Sequence, residues 1–553
     1  LNNVYVGQGG TGVFTLNNNG SSTIEKALVL GQAASSTGTV NLNGGILEVG
    51  GTNGIAKGAG SATFNLGGGT IRVIENDLTT SVPLNLIDGT SSTINTNGLK
   101  ATLTGGITGT FSTAGGDLHK AGSGTLILNG GTYNGGDLKV DGGTIQQESG
   151  TVQFWYGSIG ADGNTGTYVL NGGNFNPRDL NVGDFGGNGT FIQNGGTVQV
   201  ASDRAINIGN RGGTGVYTIT NGELYLNAYP SINILGRHDA NDGASVPSSH
   251  GTLNIQEDAL VDLAATGYVI LGSQVATTNN PSIAQGSTGT INQTGGTFTV
   301  NSGALLYLSA VGSGTYNLDG GFLEIGGGSL IPRYGSNNAD YAFNLGGGTI
   351  RVIDSDLVTS AVPTLKAGTV STINTDGRNA TFSGGFAGTG GFNKVGRGAL
   401  TLGDETTVST DSTVQGDLVI GSGAGNEGTL NVEDDVTLDI VSVPGQTGAS
   451  ASSRLVVGTN GGEGYLNING GHISVDIASG AGPNRVQIGY QGGTGVGTMT
   501  DGSITFNASP GTYGSFDIGR GTDATGTFIQ SGGVVDLGGG AFQIGVEGGD
   551  GTY

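Results

Sequence analysis

The feature that most constrains this chain is a short sequence pattern that returns along its 553 residues, often after 23 to 31 residues. Each repeat holds an alternating apolar segment that ends in glycine, a polar turn, a Gly-Thr-aromatic segment or close variant, and a further alternating segment. Residues 180–200 and 206–226 show the whole pattern. Periods of this size are typical of solenoids and propellers, so the repeat limits the fold class. One glycine, called the anchor glycine here, holds the same place in the repeats at Gly12, Gly38, Gly166, Gly189, Gly215, Gly289, Gly314, Gly464, Gly495, Gly526 and Gly551.

The spacing of apolar residues inside each repeat favours a β-helix over a propeller. Three short strands with period-2 alternation fit a coil of ~25 residues. A propeller blade needs four strands and usually carries a tryptophan signature, whereas this chain has one Trp. We therefore predict an all-β, right-handed parallel β-helix (solenoid) of roughly 20 to 23 coils. Val, Ile and Leu should stack inside it, with ladders of Asn and Thr at the turns.

A longer repeat lies above the short one. Residues 64–74 return unchanged as residues 343–353. We interpret the chain as β-helical repeat unit 1 in residues 1–275, unit 2 in residues 276–547, and the start of a third unit in residues 548–553. Neither end has the polar sequence of a capping repeat. We therefore expect head-to-tail continuation, either by peptide bond within a giant protein or by stacking of separate chains into a filament.

Composition excludes several classes of function. The absence of cysteine excludes disulfides, thiolate zinc sites and cysteine nucleophiles. A net charge of −23 argues against nucleic acids and anionic membranes as partners. No run approaches the ~18 apolar residues that a membrane-spanning helix requires, so we expect a chain that is not membrane-embedded.

Two stretches carry a motif of known type. Residues 118–128, followed by 135–145, combine a Lys, a Gly-x-Gly-Thr-Leu strand, a Gly-Gly turn and a Gly-x-Leu strand, and residues 392–402 with 415–420 repeat much of this order. These stretches resemble the autotransporter-associated β-strand repeat of very long bacterial surface proteins. The resemblance implies secretion, a right-handed β-helical passenger, and a structural or adhesive role outside the cell.

Glycine-rich turns raise the question of calcium. The calcium-binding nonapeptide of β-rolls needs an Asp after Gly-Gly-x-Gly-x, because its carboxylate is the main hard ligand. This chain places Phe, Tyr, Leu or Gly there, so we predict structural corners, no metal site and no cofactor. The stretches concerned begin at Gly9, Gly186, Gly212, Gly461, Gly492 and Gly548.

A polysaccharide-degrading enzyme is the remote alternative, because parallel β-helices also host such activities. Those sites need clustered carboxylates with a partner base or acid. Here Arg72 recurs as Arg351, which indicates a turn or ladder element, while the nearby acidic residues do not recur as a set. The four histidines have no counterpart in the other copy. We predict no enzyme and no catalytic residue.

Aromatic residues supply the one candidate binding site. Those that follow the anchor glycine are predicted to form a stack in the core: Phe14, Tyr168, Phe191, Tyr217, Tyr316, Phe528 and Tyr553. The densest cluster, Phe154, Trp155 and Tyr156, lies where the two copies differ most. We favour a coil cap or loop plug there, and a glycan contact by these three residues is the alternative.

These observations favour a structural segment of a long secreted bacterial β-solenoid that forms an extracellular fibre, sheath or cell-surface stalk. The alternative is an adhesin passenger that binds glycan or matrix through insertions such as residues 235–249 and 273–285. The partners we expect are further copies of the chain and, for the adhesin, surface glycans, with no nucleic acid. The expected location is extracellular or at the bacterial cell surface.

Overall fold

A computed structural model describes most of the chain, and its described part is built from β-strands without a helix. The described residues are 1–50, 54–200, 204–226, 232–237, 247–272, 286–335, 339–408, 412–434, 436–442, 453–477, 485–508, 512 and 514–553. The predicted insertions at 235–249 and 273–285 lie largely or wholly outside these residues.

Fifty-six strands are numbered in chain order over the described residues. Strands β1 to β14 are Asn3–Val6, Thr11–Ile24, Ala27–Leu30, Thr37–Val49, Gly54–Lys57, Ser61–Leu66, Thr70–Val73, Leu78–Thr80, Leu84–Leu86, Ser91–Asn95, Lys100–Leu103, Ile107–Thr108, Asp117–Ala121 and Thr125–Leu128. Strands β15 to β28 are Thr132–Val140, Thr144–Gln147, Thr151–Ala161, Thr165–Leu170, Asn174–Phe175, Asp179–Asp184, Asn188–Gln193, Thr197–Gln199, Ile206–Asn210, Thr214–Ile219, Glu223–Leu226, Ile232–Arg237, His250–Ile255 and Leu260–Leu263. Strands β29 to β42 are Tyr268–Leu271, Thr288–Val300, Leu305–Tyr307, Ser313–Ile325, Leu330–Ile331, Tyr341–Leu345, Thr349–Val352, Leu357–Thr359, Pro363–Leu365, Val370–Asn374, Ala380–Phe382, Ala387–Gly388, Gly391–Val395 and Leu400–Leu402. Strands β43 to β56 are Asp404–Val408, Ser412–Gln415, Leu418–Ser422, Glu427–Glu433, Thr437–Val441, Arg454–Thr459, Glu463–Ile477, Arg485–Tyr490, Thr494–Ala508, Ser515–Arg520, Thr525–Gln530, Val534–Asp536, Ala541–Val546 and Asp550–Thr552.

The chain divides into two compact units. These units follow packing, whereas the repeat boundaries predicted above follow internal sequence similarity. The first unit comprises Leu1–Ile291, Ser309–Gly314 and Gly335–Asp340, and the second comprises Asn292–Leu308, Thr315–Tyr334 and Tyr341–Tyr553.

In the first unit, strands pair in parallel with strands one coil further along the chain. The anchor glycines Gly166, Gly189 and Gly215 occupy one register position on three successive coils, followed by Gly251. A stack of equivalent residues in parallel strands defines a parallel β-helix, so the predicted fold class is confirmed.

The anchor glycine is required because two stretches of backbone meet at it. A Cβ atom added to Gly189 would lie 2.1 Å from the carbonyl oxygen of Ile159 and 2.2 Å from the amide nitrogen of Gly183. Gly183 itself forms the preceding corner with φ of +72°, a conformation that glycine adopts without a Cβ clash. The corner and the anchor glycine therefore pack directly on each other.

Aromatic side chains fill the core of the first unit in the predicted stack at Tyr168, Phe191 and Tyr217, whereas Phe14 is half-buried and Tyr553, in the second unit, is 58% exposed. Tyr168, Phe191 and Tyr217 are fully buried. The ring centroids of Tyr168 and Phe191 are 5.0 Å apart, those of Phe191 and Tyr217 are 4.6 Å apart, and both pairs are nearly parallel. Strand alternation points each of these rings inward, while the residues before and after it face outward.

The second unit has the same construction. Gly464, Gly495, Gly526 and Gly551 share one register position on four successive coils. This unit also contains an eight-stranded parallel sheet in the order β36-β39-β42-β45-β48-β50-β52-β55. The outer surface of this sheet carries the site described below.

Polar ladders recur in both units on the outer faces of strands, and a predicted ladder contact at the turns is also present, where Asn194 donates to Asn171 over 2.9 Å. In the first unit Asn65 donates to Asn41 over 2.8 Å and Asn85 donates to Asn65 over 3.1 Å. In the second unit Asn344 donates to Asn317 over 2.8 Å. The outer strand position favours ladders because identical side chains there point the same way on every coil.

Candidate functional site

The outer surface of the eight-stranded sheet contains a groove, called the outer groove here, of about 400 Å³. Its floor is the column of outward residues that stack in register from strand to strand. At least one residue of β36, β39, β42, β45, β48 and β50 contributes to it. The groove is lined by Asp356, Val358, Asn379, Thr381, Ala399, Thr401, Asp417, Val419, Ser422, Arg454, Val456, Thr459, Asn460, Tyr490 and Gln491.

A second cavity of about 370 Å³ adjoins the outer groove. The two cavities share Thr381, Thr401 and Ser422 in their linings. The second cavity extends the polar surface to the corner that holds Asn426 and Glu427. Together they form a continuous polar depression within the second unit.

The charged pair in the outer groove is Asp417 with Arg454. Both the Nε and the Nη2 atoms of Arg454 donate to Oδ2 of Asp417, at 3.0 and 2.5 Å. The side chain of Asp417 is 17% exposed, and its Oδ1 atom is buried without a hydrogen-bond partner. Since a carboxylate oxygen can only accept, Oδ1 is a buried acceptor that lacks a donor.

Asp356 lies at the other end of the groove. Its Oδ1 accepts the backbone N–H of Asn379 at 2.8 Å, and its Oδ2 accepts from the Asn379 amide at 3.1 Å. The Asn379 side-chain oxygen in turn accepts the N–H of Ala399 at 2.9 Å. This chain of hydrogen bonds fixes three coils against one another and holds polar atoms at the groove rim.

Further along the same sheet the outer column becomes fully buried and polar. Gln487 pairs in register with Asp517, and both side chains are 0% exposed. Oδ2 of Asp517 lies 3.2 Å from Nη1 of Arg520, while its Oδ1 and both polar atoms of Gln487 have no partner. Buried polar atoms without partners are sites that ordered water usually satisfies.

The aromatic cluster proposed from the sequence divides between the core and the surface. Phe154 is 1% exposed and lies in the core, whereas Tyr156 is 36% exposed. Trp155 is half-buried, with Arg178 stacked 3.9 Å above its ring and Phe111 against it edge-on at 5.5 Å. Of the three candidate glycan contacts, Tyr156 thus presents the most open side chain.

The lysine of the strand-repeat motif is buried in both copies. Lys120 and Lys394 are 0% exposed. The Nζ of Lys120 donates to the carbonyl oxygens of Ala121, Gly122 and Gly142 at 2.8 to 2.9 Å. Burial lowers the pKa of Lys120 to about 8, so the ammonium form with three donors prevails at neutral pH.

Lys394 forms the equivalent corner in the second unit. Its Nζ donates to the carbonyl oxygens of Gly396, Gly398 and Gln415 at 2.5 to 2.7 Å. Burial lowers its pKa to about 8 as well. Each of these two lysines joins the corner of one coil to the next through its hydrogen bonds to backbone carbonyls.

Buried tyrosines pair with buried glutamines on the preceding coil. Tyr168 donates to Oε1 of Gln147 at 2.6 Å, and Tyr217 donates to Oε1 of Gln193 at 2.7 Å. Burial raises the pKa of both tyrosines well above the ordinary value. Each hydroxyl therefore stays protonated and acts as a fixed donor within the core.

Two of the histidines in the described part of the chain have a polar partner on a neighbouring coil. Nδ1 of His119 lies 3.2 Å from Asp141, and His472 lies 3.0 Å from the Ser503 hydroxyl. No three His, Asp or Glu side chains among the described residues are arranged to hold a metal ion. His238 lies outside those residues.

The groove residues were not identified from the sequence. Asp137 and Asp417 both occur in a Gly-Asp-Leu sequence, but the strand register places them differently. Leu418 pairs with Leu400 as Ile145 pairs with Leu126, so Asp417 corresponds to Thr144.

No described helix is long and apolar enough to cross a membrane. No family model matches this chain, no curated protein is significantly similar to it, and no solved structure is significantly similar to it. The parallel β-helix is therefore assigned from strand register and burial, and the resemblance to autotransporter-associated repeats stays a prediction.

Proposed function

We propose that this chain is a structural segment of a long secreted bacterial β-solenoid, which forms an extracellular fibre, sheath or cell-surface stalk. The observation that carries the proposal is that the chemically versatile side chains that recur between the copies are used to hold coils together. Lys120 and Lys394 each bind three backbone carbonyls. A repeat that uses such groups to hold its own corners together is suited to a long, uninterrupted stack of coils.

Recurrent arginines support the same proposal. Arg72 pairs with Glu48 on the preceding coil, and Arg351 pairs with Glu324 in the second copy. Hydrogen bonds from Thr23 and then from Arg72 lower the pKa of Glu48. These ion pairs lie along the direction in which coils stack, where they add contacts between one repeat and the next.

The core contains little that oxidation could damage. The chain has no cysteine and a single methionine, and Met499 is fully buried. Cysteine and methionine are the residues whose oxidation most often disrupts cores. This composition is suited to a protein that persists for a long time outside the cell.

Immunogold labelling of intact cells tests the proposed location and role together. Antibodies raised against the isolated segment should decorate extended structures outside the producing cell, and surface proteolysis should remove the label. Labelling only after permeabilisation would contradict an extracellular role. Electron microscopy of the labelled structures should show thin rods, whereas compact isolated particles would contradict a fibre, sheath or stalk.

A further inference from the structure

The second cavity, called the corner cavity here, lies between two successive corners of different length. A single residue, Gly403, separates β42 from β43, whereas residues 423–426 separate β45 from β46 on the next coil. Both corners contribute to the cavity, since Gly403, Gly425 and Asn426 line it. Its volume of about 370 Å³ is typical of sites that hold a small molecule.

The longer corner is a fixed wall of this cavity. The backbone N–H of Asn426 donates to the carbonyl oxygen of Gly423 at 3.0 Å, and its side-chain amide donates to the carbonyl oxygen of Ser422 at 2.7 Å. The Asn426 carbonyl oxygen accepts the N–H of Glu463 from the next coil at 2.8 Å. A wall that is already ordered lowers the entropy cost of binding a ligand.

Accessible hydroxyl groups line the corner cavity. Thr381, Thr401, Ser422 and Thr429 are partly exposed lining residues. None of these four hydroxyl groups makes a hydrogen bond to another described residue. A hydroxyl can both donate and accept, so the cavity offers several hydrogen bonds to a ligand that itself carries hydroxyl groups.

Two carboxylates of like charge stand at the mouth of the cavity. Glu427 lines the cavity and is exposed, and it pairs in register with the exposed Glu463 on the next coil. Neighbouring strands are ~4.8 Å apart, and like charges placed opposite each other are unfavourable. Tyr465 donates to Glu463 at 3.3 Å, but within the described part of the chain neither glutamate has an ion pair.

Acidic residues in the same register relation elsewhere meet an arginine. Glu48 pairs in register with Arg72 and forms an ion pair with it. Glu324 and Arg351 repeat this arrangement in the second copy. The glutamate pair at the corner cavity lacks such a cation, and an ammonium group on a ligand would supply it.

Two other classes of ligand fit this cavity less well. A metal ion needs several hard ligands, and no three His, Asp or Glu side chains in the described ranges are arranged to hold one. An anionic ligand needs positive charge, whereas the one charged residue that lines the cavity is Glu427. The charge of the cavity thus favours a cation, and its hydroxyl groups favour a hydroxylated one.

We propose that the corner cavity binds an amino sugar, whose ammonium group pairs with the Glu427 carboxylate. The sugar hydroxyl groups form hydrogen bonds with the hydroxyl groups of Thr401 and Thr429. The preformed corner at Asn426 limits the depth to which the sugar enters. This proposal does not rest on the role of the chain as a structural segment.

Saturation-transfer difference NMR with the full 553-residue chain tests this proposal. The probes are glucosamine, glucose, N-acetylglucosamine and methylamine, at matched ionic strength and at a slightly acidic pH that keeps the amine protonated. The dissociation constant for glucosamine should be at least about tenfold lower than for the other three, because only glucosamine has both hydroxyl groups and an ammonium group. No signal from glucosamine, or equal binding of any other probe, would overturn the proposal.

Variants locate the binding. Glu427→Gln removes a charge from an exposed side chain and should weaken glucosamine binding about tenfold, with little effect on glucose. Thr429→Val removes one hydroxyl group and should weaken glucosamine binding roughly threefold. The matched control is Asp162→Asn, which removes an exposed negative charge at the corner before Gly166 in the first unit and should leave binding unchanged.

Thermal unfolding of each variant separates loss of the site from loss of the fold. If Glu427→Gln melts early, Thr429→Val still tests the cavity. Unchanged glucosamine binding by both variants, at the melting temperature of the original chain, would show that the sugar binds elsewhere. Equal weakening by Asp162→Asn would mean that glucosamine is attracted by the overall negative charge of the chain, and would overturn the proposal.

Discussion

The two copies of the long repeat share their corners and differ on their outer faces. Lys120 and Lys394 make equivalent bonds to backbone carbonyls, whereas Asp137 and Asp417, which share the tripeptide Gly-Asp-Leu, lie at different places in the coil and have different neighbours. Asp137 pairs in register with Tyr156 on the next coil, and Asp417 accepts two hydrogen bonds from Arg454. Burial and then the nearby charge of Asp117 raise the pKa of Asp137.

This difference shows which parts of a coil are free to change. Backbone contacts between coils fix the corners, because a wrong residue there disturbs the register of every neighbouring strand. An outward side chain meets solvent or its two stacked neighbours, so its replacement leaves the register intact. A binding surface can therefore arise in one copy while the other copy keeps the same coil.

The largest effect is expected at an anchor glycine, and it should be the same in both copies. Gly189→Ala and Gly464→Ala place a Cβ atom within 2.5 Å of backbone atoms, so each should cost more than about 4 kcal/mol of unfolding free energy or prevent folding. Urea denaturation measures this loss. Gly10→Ala is the control, because a Cβ atom there meets nothing within 4 Å. Equal stability of all three variants would refute the proposed corner packing.

The next largest effect concerns the buried lysines. Lys120→Met and Lys394→Met each remove three hydrogen bonds to backbone carbonyls, which should cost roughly 3 kcal/mol. Lys100→Met provides the control, since Lys100 is exposed. Chemical denaturation of the three variants would compare them directly. A cost in one copy only would show that the two corners are not equivalent.

A smaller effect is expected from the tyrosine–glutamine pairs. Tyr217→Phe and Tyr316→Phe remove the donors to Gln193 and Gln293, which should lower the unfolding free energy by about 1 to 2 kcal/mol. Tyr225→Phe serves as control, because its hydroxyl bonds to Glu223 at the surface. Similar melting temperatures for all three variants would mean that the buried pairs add no stability.

Stability is also expected to depend on alkaline pH. The folded-state pKa of Lys120 and of Lys394 is about 8, below the unfolded value of about 10.4. The unfolded chain binds more protons between these values, so stability should rise as pH increases from about 8 to 10. Unfolding free energies measured across this range should lose that slope in the Lys120→Met/Lys394→Met double variant. A slope that persists in the double variant would assign it to other groups.

How far the sequence predicts the position of a side chain differs between the buried and the surface aromatic residues. Strand alternation predicts that Tyr168, Phe191 and Tyr217 face the core, and their burial confirms it. The same alternation separates Phe154, which lies inside, from Trp155, which lies outside. Which side chain covers Trp155 could not be predicted, because Arg178 belongs to a different coil and reaches it across the surface.

The sequence by itself determined the period, the parallel strands, the anchor glycines and the recurrence of the lysines and arginines. These features depend on local alternation and on repeats that are visible along the chain. Only the tertiary structure decided which residues meet between coils. For example, Gln147 accepts a hydrogen bond from the hydroxyl of Tyr168, and Asp417 accepts one from Arg454. The reason is that successive coils differ in length: Thr165 registers with Asn188, but Thr214 registers with His250. A contact between outward side chains depends on that register, which backbone hydrogen bonds and core packing set together.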